Sequence, residues 1–152
     1  MDTDFTKLYL ENQLCFPLYA ASRLTTQLYE PFLNDLDITY PQYLVLLVLW
    51  KESSKSVNEI GESLFLESNT LTPLLKRMEQ KGLVERKRSS LDERKVLISL
   101  TSLGDSLKEK AATIPDKLLS SFAGSDPDYD ALVAFREQLQ SIVRLLNQKI
   151  GK

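Results

Sequence analysis

A single thiol and one run of polar and basic side chains are the parts of this 152-residue sequence best suited to chemistry. Cys15 stands two residues before Pro17, and proline is tolerated in a helix's first turn, where the N–H it lacks would be unpaired anyway. That puts Cys15 at or just before a helix N-terminus, where unpaired N–H groups and the positive end of the helix dipole favour the nucleophilic thiolate. The competing reading makes Cys15 a small buried hydrophobe, the usual fate of a free cysteine. Tyr19 follows one helical turn later, and Tyr29 and Tyr40 flank the link between the first two expected helices. A phenol can donate a hydrogen bond to a thiolate, although tyrosines at helical spacing also serve as the edge of a core.

The second stretch runs from Ser68 to Leu100. Leu71, Leu74, Leu75 and Met78 fall at i, i+3, i+4 and i+7, one apolar stripe on a helix. Asn69, Thr72, Lys76 and Gln80 point the other way, with Arg77 beside them. Gly82 can close that helix in the left-handed conformation, and two strand-like runs follow around a tip containing Asp92, Glu93 and Arg94. Between Lys76 and Lys95 eight basic residues face four acids, +4 in a chain whose formal net charge is -2. A solvated hairpin also collects Lys and Arg, but one directly behind a polar-faced helix points to DNA.

What is missing narrows the function. The chain contains no histidine, so no Ser-His-Asp triad, Cys-His dyad or histidine metal site can be built. One cysteine excludes an internal disulfide or a cysteine-pair zinc site and suits a reducing cytosol. Tyr43 to Trp50, the longest apolar run, is far shorter than the roughly 20 residues that cross a bilayer, and the acidic, polar N-terminus does not resemble a signal peptide. The expectation is a cytoplasmic protein with no cofactor and no membrane partner.

The elements that must position these residues read in order. Leu14 to Leu33 is helical, with Leu14, Leu18, Ala21, Leu24 and Leu28 near one face. Thr39 and Gln42 form a capping box for a helix running to about Lys51, apolar nearly all round and hence the buried centre. Ser56 and Glu59 form a second box, for a helix with Val57, Ile60 and Leu64 inward, and Phe65-Leu66-Glu67 is the turn. Ser68 is preferred over Thr72 as the cap of the polar-faced helix, because Leu71 belongs to its apolar stripe. Thr101 caps a helix interrupted at Pro115. After a break at Gly124-Ser125, Asp126 and Pro127 open a last helix whose Leu132, Phe135, Leu139, Ile142 and Leu146 form a narrow a/d seam. The seam suits packing on a second copy of the chain, on the first helix, or on both. The fold class is mainly α with a small β-hairpin wing: a winged helix-turn-helix over residues 35–100, with dimerisation helices in 1–34 and 101–152. In a dimer, two reading helices about 34 Å apart would match successive major grooves.

This pattern resembles the MarR family of dimeric winged-helix regulators, and within it the organic-hydroperoxide sensing repressors, the OhrR-like branch. The resemblance runs from about residue 8 to 115. It is carried by Asn12-Gln13-Leu14-Cys15-Phe16, Ile38-Thr39-Tyr40-Pro41-Gln42-Tyr43, Thr70 to Glu79, and Asp92-Glu93-Arg94. It implies that Cys15 is the peroxide-reactive thiolate, hydrogen-bonded by Tyr29 and Tyr40, with Tyr19 contributing from the other subunit. It also implies that Ser68, Asn69, Thr70, Thr72, Pro73, Lys76 and Arg77 face the major groove and that Arg86 supports backbone contacts. Arg94, held by Asp92, would enter the minor groove. Asn69 departs from the glycine expected at that position. No second, resolving cysteine is present, so the resemblance is to the one-cysteine type, whose sulfenic acid is captured by an external small thiol or oxidised further.

The expected partners are therefore a pseudo-palindromic double-stranded operator, a second copy of the chain, an organic hydroperoxide and a small thiol. One alternative keeps the DNA contacts, makes Cys15 structural and puts a small aromatic effector in control. A Cys15-based peroxidase is the weakest reading, because no arginine is evident to activate the thiolate.

Overall fold

The computed structural model describes residues 4–90, 92, 94–121 and 128–151. Two 3₁₀ turns, Thr6–Leu8 and Leu10–Asn12, lead into helix α1 (Cys15–Asn34). Side-chain amides hold these turns, Asn12 donating to the Thr6 carbonyl at 2.7 Å and Gln13 to that of Lys7 at 2.6 Å.

Helix α2 (Tyr40–Lys51) starts on the expected Thr39–Gln42 box, with Pro41 in its first turn, and buries Tyr43, Val45, Leu46 and Leu49. Strand β1 (Ser54–Ser56) leads into α3 (Val57–Leu64), whose cap Ser56 exchanges hydrogen bonds with Glu59. That bonding holds the Glu59 carboxyl below its usual range. Phe65 then reverses the chain in the left-handed region, φ 55°, and the Leu66 N–H returns to the Gly61 carbonyl at 2.9 Å.

Helix α4 (Ser68–Gln80) buries Leu71, Leu74, Leu75 and Met78, the stripe expected from their spacing. Ser68 is its first helical residue and not its cap. Glu67 occupies the cap position and makes no capping hydrogen bond through its side chain. Pro73 therefore lies in the second turn, and the Thr72 hydroxyl donates back to the Ser68 carbonyl at 2.7 Å. The far end closes on Gly82, φ +72°, with the Leu83 N–H bonded to the Met78 carbonyl and the Gly82 N–H to that of Glu79.

Strands β2 (Val84–Arg88) and β3 (Val96–Leu100) pair antiparallel, Val84 opposite Leu100 and Arg88 opposite Val96. The expected hairpin is thus two strands of a three-stranded sheet, order β1-β3-β2, with Lys55 opposite Ile98. β1 escapes a sequence reading because three polar residues carry no alternation; its pairing with β3 makes it a strand.

Helix α5 (Ser102–Ala111) is capped by Thr101, which accepts from the Gly104 N–H at 3.1 Å. The interruption expected at Pro115 falls earlier, at Ala112 and Thr113. Pro115 sits inside the first turn of α6 (Ile114–Ser121), where its missing N–H breaks no hydrogen bond. Asp126 and Pro127, expected to open the last helix, lie outside the described residues. The last helix, α7 (Tyr129–Ile150), is capped by Asp128, which accepts from the Ala131 N–H at 3.1 Å.

The core gathers α2, the inner faces of α3 and α4, and Ile98 of β3. It extends to Leu33 of α1 and to Ile114 and Leu118 of α6. The Trp50 indole N–H bonds the Gly104 carbonyl at 3.1 Å and ties α2 to α5. α7 contributes nothing to this core, since none of its described side chains is buried. Phe135 and Leu146 of its seam are 58% and 51% exposed, so the first helix of the same chain does not cover them.

Candidate nucleic-acid interface and thiol site

Burying Leu71, Leu74, Leu75 and Met78 turns the opposite face of α4 outward. Ser68, Asn69, Thr70, Thr72, Pro73, Lys76 and Arg77 are all exposed. The side chains at its N-terminal end are linked: Asn69 Nδ2 donates to Glu67 Oε2 at 3.2 Å, and Thr70 Oγ1 donates to Asn69 Oδ1 at 3.2 Å. Glu67 is not among the site residues expected from the sequence; its only signal there is its place immediately before the helix.

Arg86 lies half-buried on β2, its guanidinium 3.8 Å from Glu79 on α4, so the wing and the helix are linked by opposite charges. Its Nε is buried and has no hydrogen-bond partner among the described residues. At the tip, Asp92 Oδ1 accepts the backbone N–H of Arg94 at 3.1 Å. Asp92 thus holds Arg94 through the main chain, and Arg94 itself stands exposed. Glu93 is outside the described residues.

The thiol site divides in two. Cys15 is exposed at the first residue of α1. Tyr19, one turn on, is 61% exposed with the Arg23 guanidinium 5.6 Å from its ring centre. Tyr29 lies on the same helix ~21 Å beyond Cys15, at 1.5 Å per residue. It meets Tyr40 edge-on at 5.0 Å between ring centres. Tyr43 completes a three-ring cluster, 5.7 Å from Tyr29 and 6.3 Å from Tyr40. Sequence reasoning misses Tyr43 as a member of this cluster, although it lies one helical turn after Tyr40. Burial raises all three phenols above the usual tyrosine value, and the neighbouring rings add to this at Tyr29 and Tyr43. These phenols therefore remain hydrogen-bond donors through neutral pH. Within one chain, therefore, the helix holds Cys15 apart from Tyr29, and Tyr19 is the tyrosine that stands one turn from the thiol.

A helix-turn-helix with a basic wing is the architecture of a DNA reader, and the comparisons with known proteins agree. Residues 27–111 match the family model of the SarA/Rot transcriptional regulators. Along 98% of its length the chain is 52% identical to the organic hydroperoxide resistance transcriptional regulator of Bacillus subtilis (strain 168), over 99% of that protein. The chain belongs to the MarR family of winged-helix regulators. Its place within the family is the organic-hydroperoxide branch, one-cysteine type. Two solved structures are similar along nearly the whole chain. Reduced AbfR bound to DNA is 42% identical with a TM-score of 0.72, covering 92% of this chain and 97% of that one. AbfR of Staphylococcus epidermidis is 38% identical with a TM-score of 0.75, covering 93% and 94%. As a MarR-family member the chain is a DNA-binding transcriptional regulator and not an enzyme. Among the described residues no helix is long and apolar enough to cross a membrane.

Proposed function

We propose that this chain is a cytoplasmic homodimeric repressor that grips a pseudo-palindromic operator while Cys15 is reduced and releases it when an organic hydroperoxide oxidises Cys15. The observation that carries the reading is the position of the chain's one thiol, exposed at the head of α1 and one turn from Tyr19. The relationship to an organic hydroperoxide resistance regulator supports the choice of oxidant.

Residues 35–100 form the reading unit. Ser68, Asn69, Thr70, Thr72, Pro73, Lys76 and Arg77 face the major groove, Arg86 the phosphates, and Arg94, set by Asp92, the minor groove. Residues 1–34 and 101–152 carry the dimer contacts. The exposed seam of α7 and the exposed Leu14 and Leu24 of α1 are apolar surface that a second copy would cover.

In the dimer, the half-buried phenols of Tyr29 and Tyr40 meet Cys15 of the other protomer, and Tyr19 of the same protomer closes the site. The Cys15 thiolate attacks the terminal oxygen of the hydroperoxide. An S–O bond forms, the O–O bond breaks, and the alkoxide leaves as the alcohol after taking a proton. A small thiol then attacks the sulfenic acid sulfur, giving a mixed disulfide and water. The enlarged sulfur no longer fits the phenols, and the shift in α1 alters the spacing of the two α4 helices.

Anisotropy of a fluorescent duplex from the gene's own upstream region tests this at fixed salt. Reduced wild type and Cys15→Ser bind. One equivalent of organic hydroperoxide plus a small thiol releases the wild type alone. Equal binding of oxidised and reduced wild type would falsify the sensing half.

A further inference from the structure

Asn69 occupies the middle of the exposed face of α4. At about 100° per residue it stands opposite the centre of the buried stripe formed by Leu71, Leu74, Leu75 and Met78. Thr72 and Lys76 fall on the same side. Two contacts hold its carboxamide: Nδ2 donates to Glu67 Oε2, and Oδ1 accepts from Thr70 Oγ1, each at 3.2 Å. An ionised carboxylate only accepts hydrogen bonds, so the nitrogen must be the atom that faces Glu67; the Thr70 hydroxyl can donate or accept, so it is Glu67 that fixes which way the amide points. A carboxamide has two N–H donors and two lone pairs. One of each remains after these contacts, presented by a side chain whose orientation is already fixed.

We infer that Asn69 is a base-reading residue specific for adenine, oriented by Glu67. The inference rests on the DNA reading proposed above and goes beyond it by assigning one base to one side chain. Adenine presents N7 as acceptor and the N6 amino group as donor in the major groove, the complement of one amide N–H beside one carbonyl lone pair. Guanine presents acceptors at both N7 and O6, so a fixed Oδ1 would face O6 without a proton between them. Thymine and cytosine offer a single polar group on that edge. Glu67 is thus a positioning residue: its carboxylate touches the amide and not the base.

Selection from a pool of random 30-base-pair duplexes by the full-length dimer, followed by sequencing, tests this. For the wild type each half-site contains an adenine preferred over guanine by roughly 5- to 150-fold, the range expected of a bidentate base contact. Asn69→Gly loses the preference at that position and keeps the other positions. Glu67→Gln, whose amide satisfies Asn69 in either orientation, lowers the adenine preference there, because a flipped Asn69 turns its oxygen toward N7 and its N–H toward the N6 amino group, while the rest of the site is retained. A loss caused by misfolding would instead blur every position. An unchanged preference in Asn69→Gly, or undiminished discrimination in Glu67→Gln, overturns the inference. No enriched sequence with any of the three proteins would overturn the DNA reading and this assignment together.

Discussion

Cys15 and Tyr29 share one helix and cannot touch. Almost four turns separate them, ~21 Å along α1. A site that uses both must be assembled from two chains, and mixed dimers read this out. Pairing a Cys15→Ser chain with a chain carrying Tyr29→Phe and Tyr40→Phe reconstitutes one complete site, with the thiol of the second chain facing the tyrosines of the first. Hydroperoxide should oxidise half the protomers of the purified heterodimer at the wild-type rate, followed by mass spectrometry of the sulfenic acid trapped with dimedone. A rate no faster than that of the tyrosine-substituted homodimer would place the site within one chain.

The Tyr29, Tyr40 and Tyr43 cluster makes stability depend on alkaline pH. Each phenol ionises less readily in the folded chain than at its unperturbed 10.0, chiefly through burial. Above pH 10 the unfolded chain loses these protons first, so the folded state binds more of them. Stability is then intact below about pH 10 and declines as pH rises toward the folded values. Thermal melts from pH 8 to 11 at fixed protein concentration should show this decline, and Tyr29→Phe with Tyr40→Phe should flatten it.

Arg94 should matter for DNA and little for folding. It is exposed, and only its backbone N–H is held by Asp92. Arg94→Ala should leave the unfolding free energy from urea titration unchanged to within about 0.5 kcal/mol. It should also lower the slope of log affinity against log salt by about 0.9 for each phosphate it no longer neutralises, up to two in a dimer. Asp92→Ala should weaken binding as well, by loosening the tip that aims Arg94. An unchanged affinity in both variants would remove the wing from the interface.

Gly104 admits no side chain. A Cβ there would stand 2.0 Å from the Leu83 carbonyl oxygen, an atom that Thr101 holds through its backbone N–H and its hydroxyl, each at 3.2 Å. Backbone pinned in this way cannot yield cheaply. Gly104→Ala should cost about 3 kcal/mol or more, read from chemical denaturation at constant protein concentration, and should loosen α5 from the wing.

Local grammar makes much of the reading helix and its frame legible. The Thr39–Gln42 and Ser56–Glu59 boxes, the Leu71 to Met78 stripe and the glycine stop at Gly82 each involve neighbours within a turn or two, so their pattern survives in one dimension. Ser68 reads as a cap because a serine before an apolar run is the usual signal, whereas the helix starts one residue earlier, on a glutamate whose side chain makes no capping bond. β1 is invisible because its strand character comes from β3, more than forty residues away. Tyr43 joins the aromatic cluster only where α1 crosses α2.

The sequence by itself determined that this chain is a winged helix-turn-helix with a basic wing, one thiol near a helix start and no histidine chemistry. Those properties follow from periodicity, caps and composition, which act over short stretches. Only the tertiary structure decided which groups can meet. A rigid helix holds Cys15 and Tyr29 apart, the fold leaves the seam of α7 uncovered, and burial of Leu71, Leu74, Leu75 and Met78 turns the Asn69 face of α4 outward. Spacing along a chain says which residues share a helix face, and packing in three dimensions decides which faces come together.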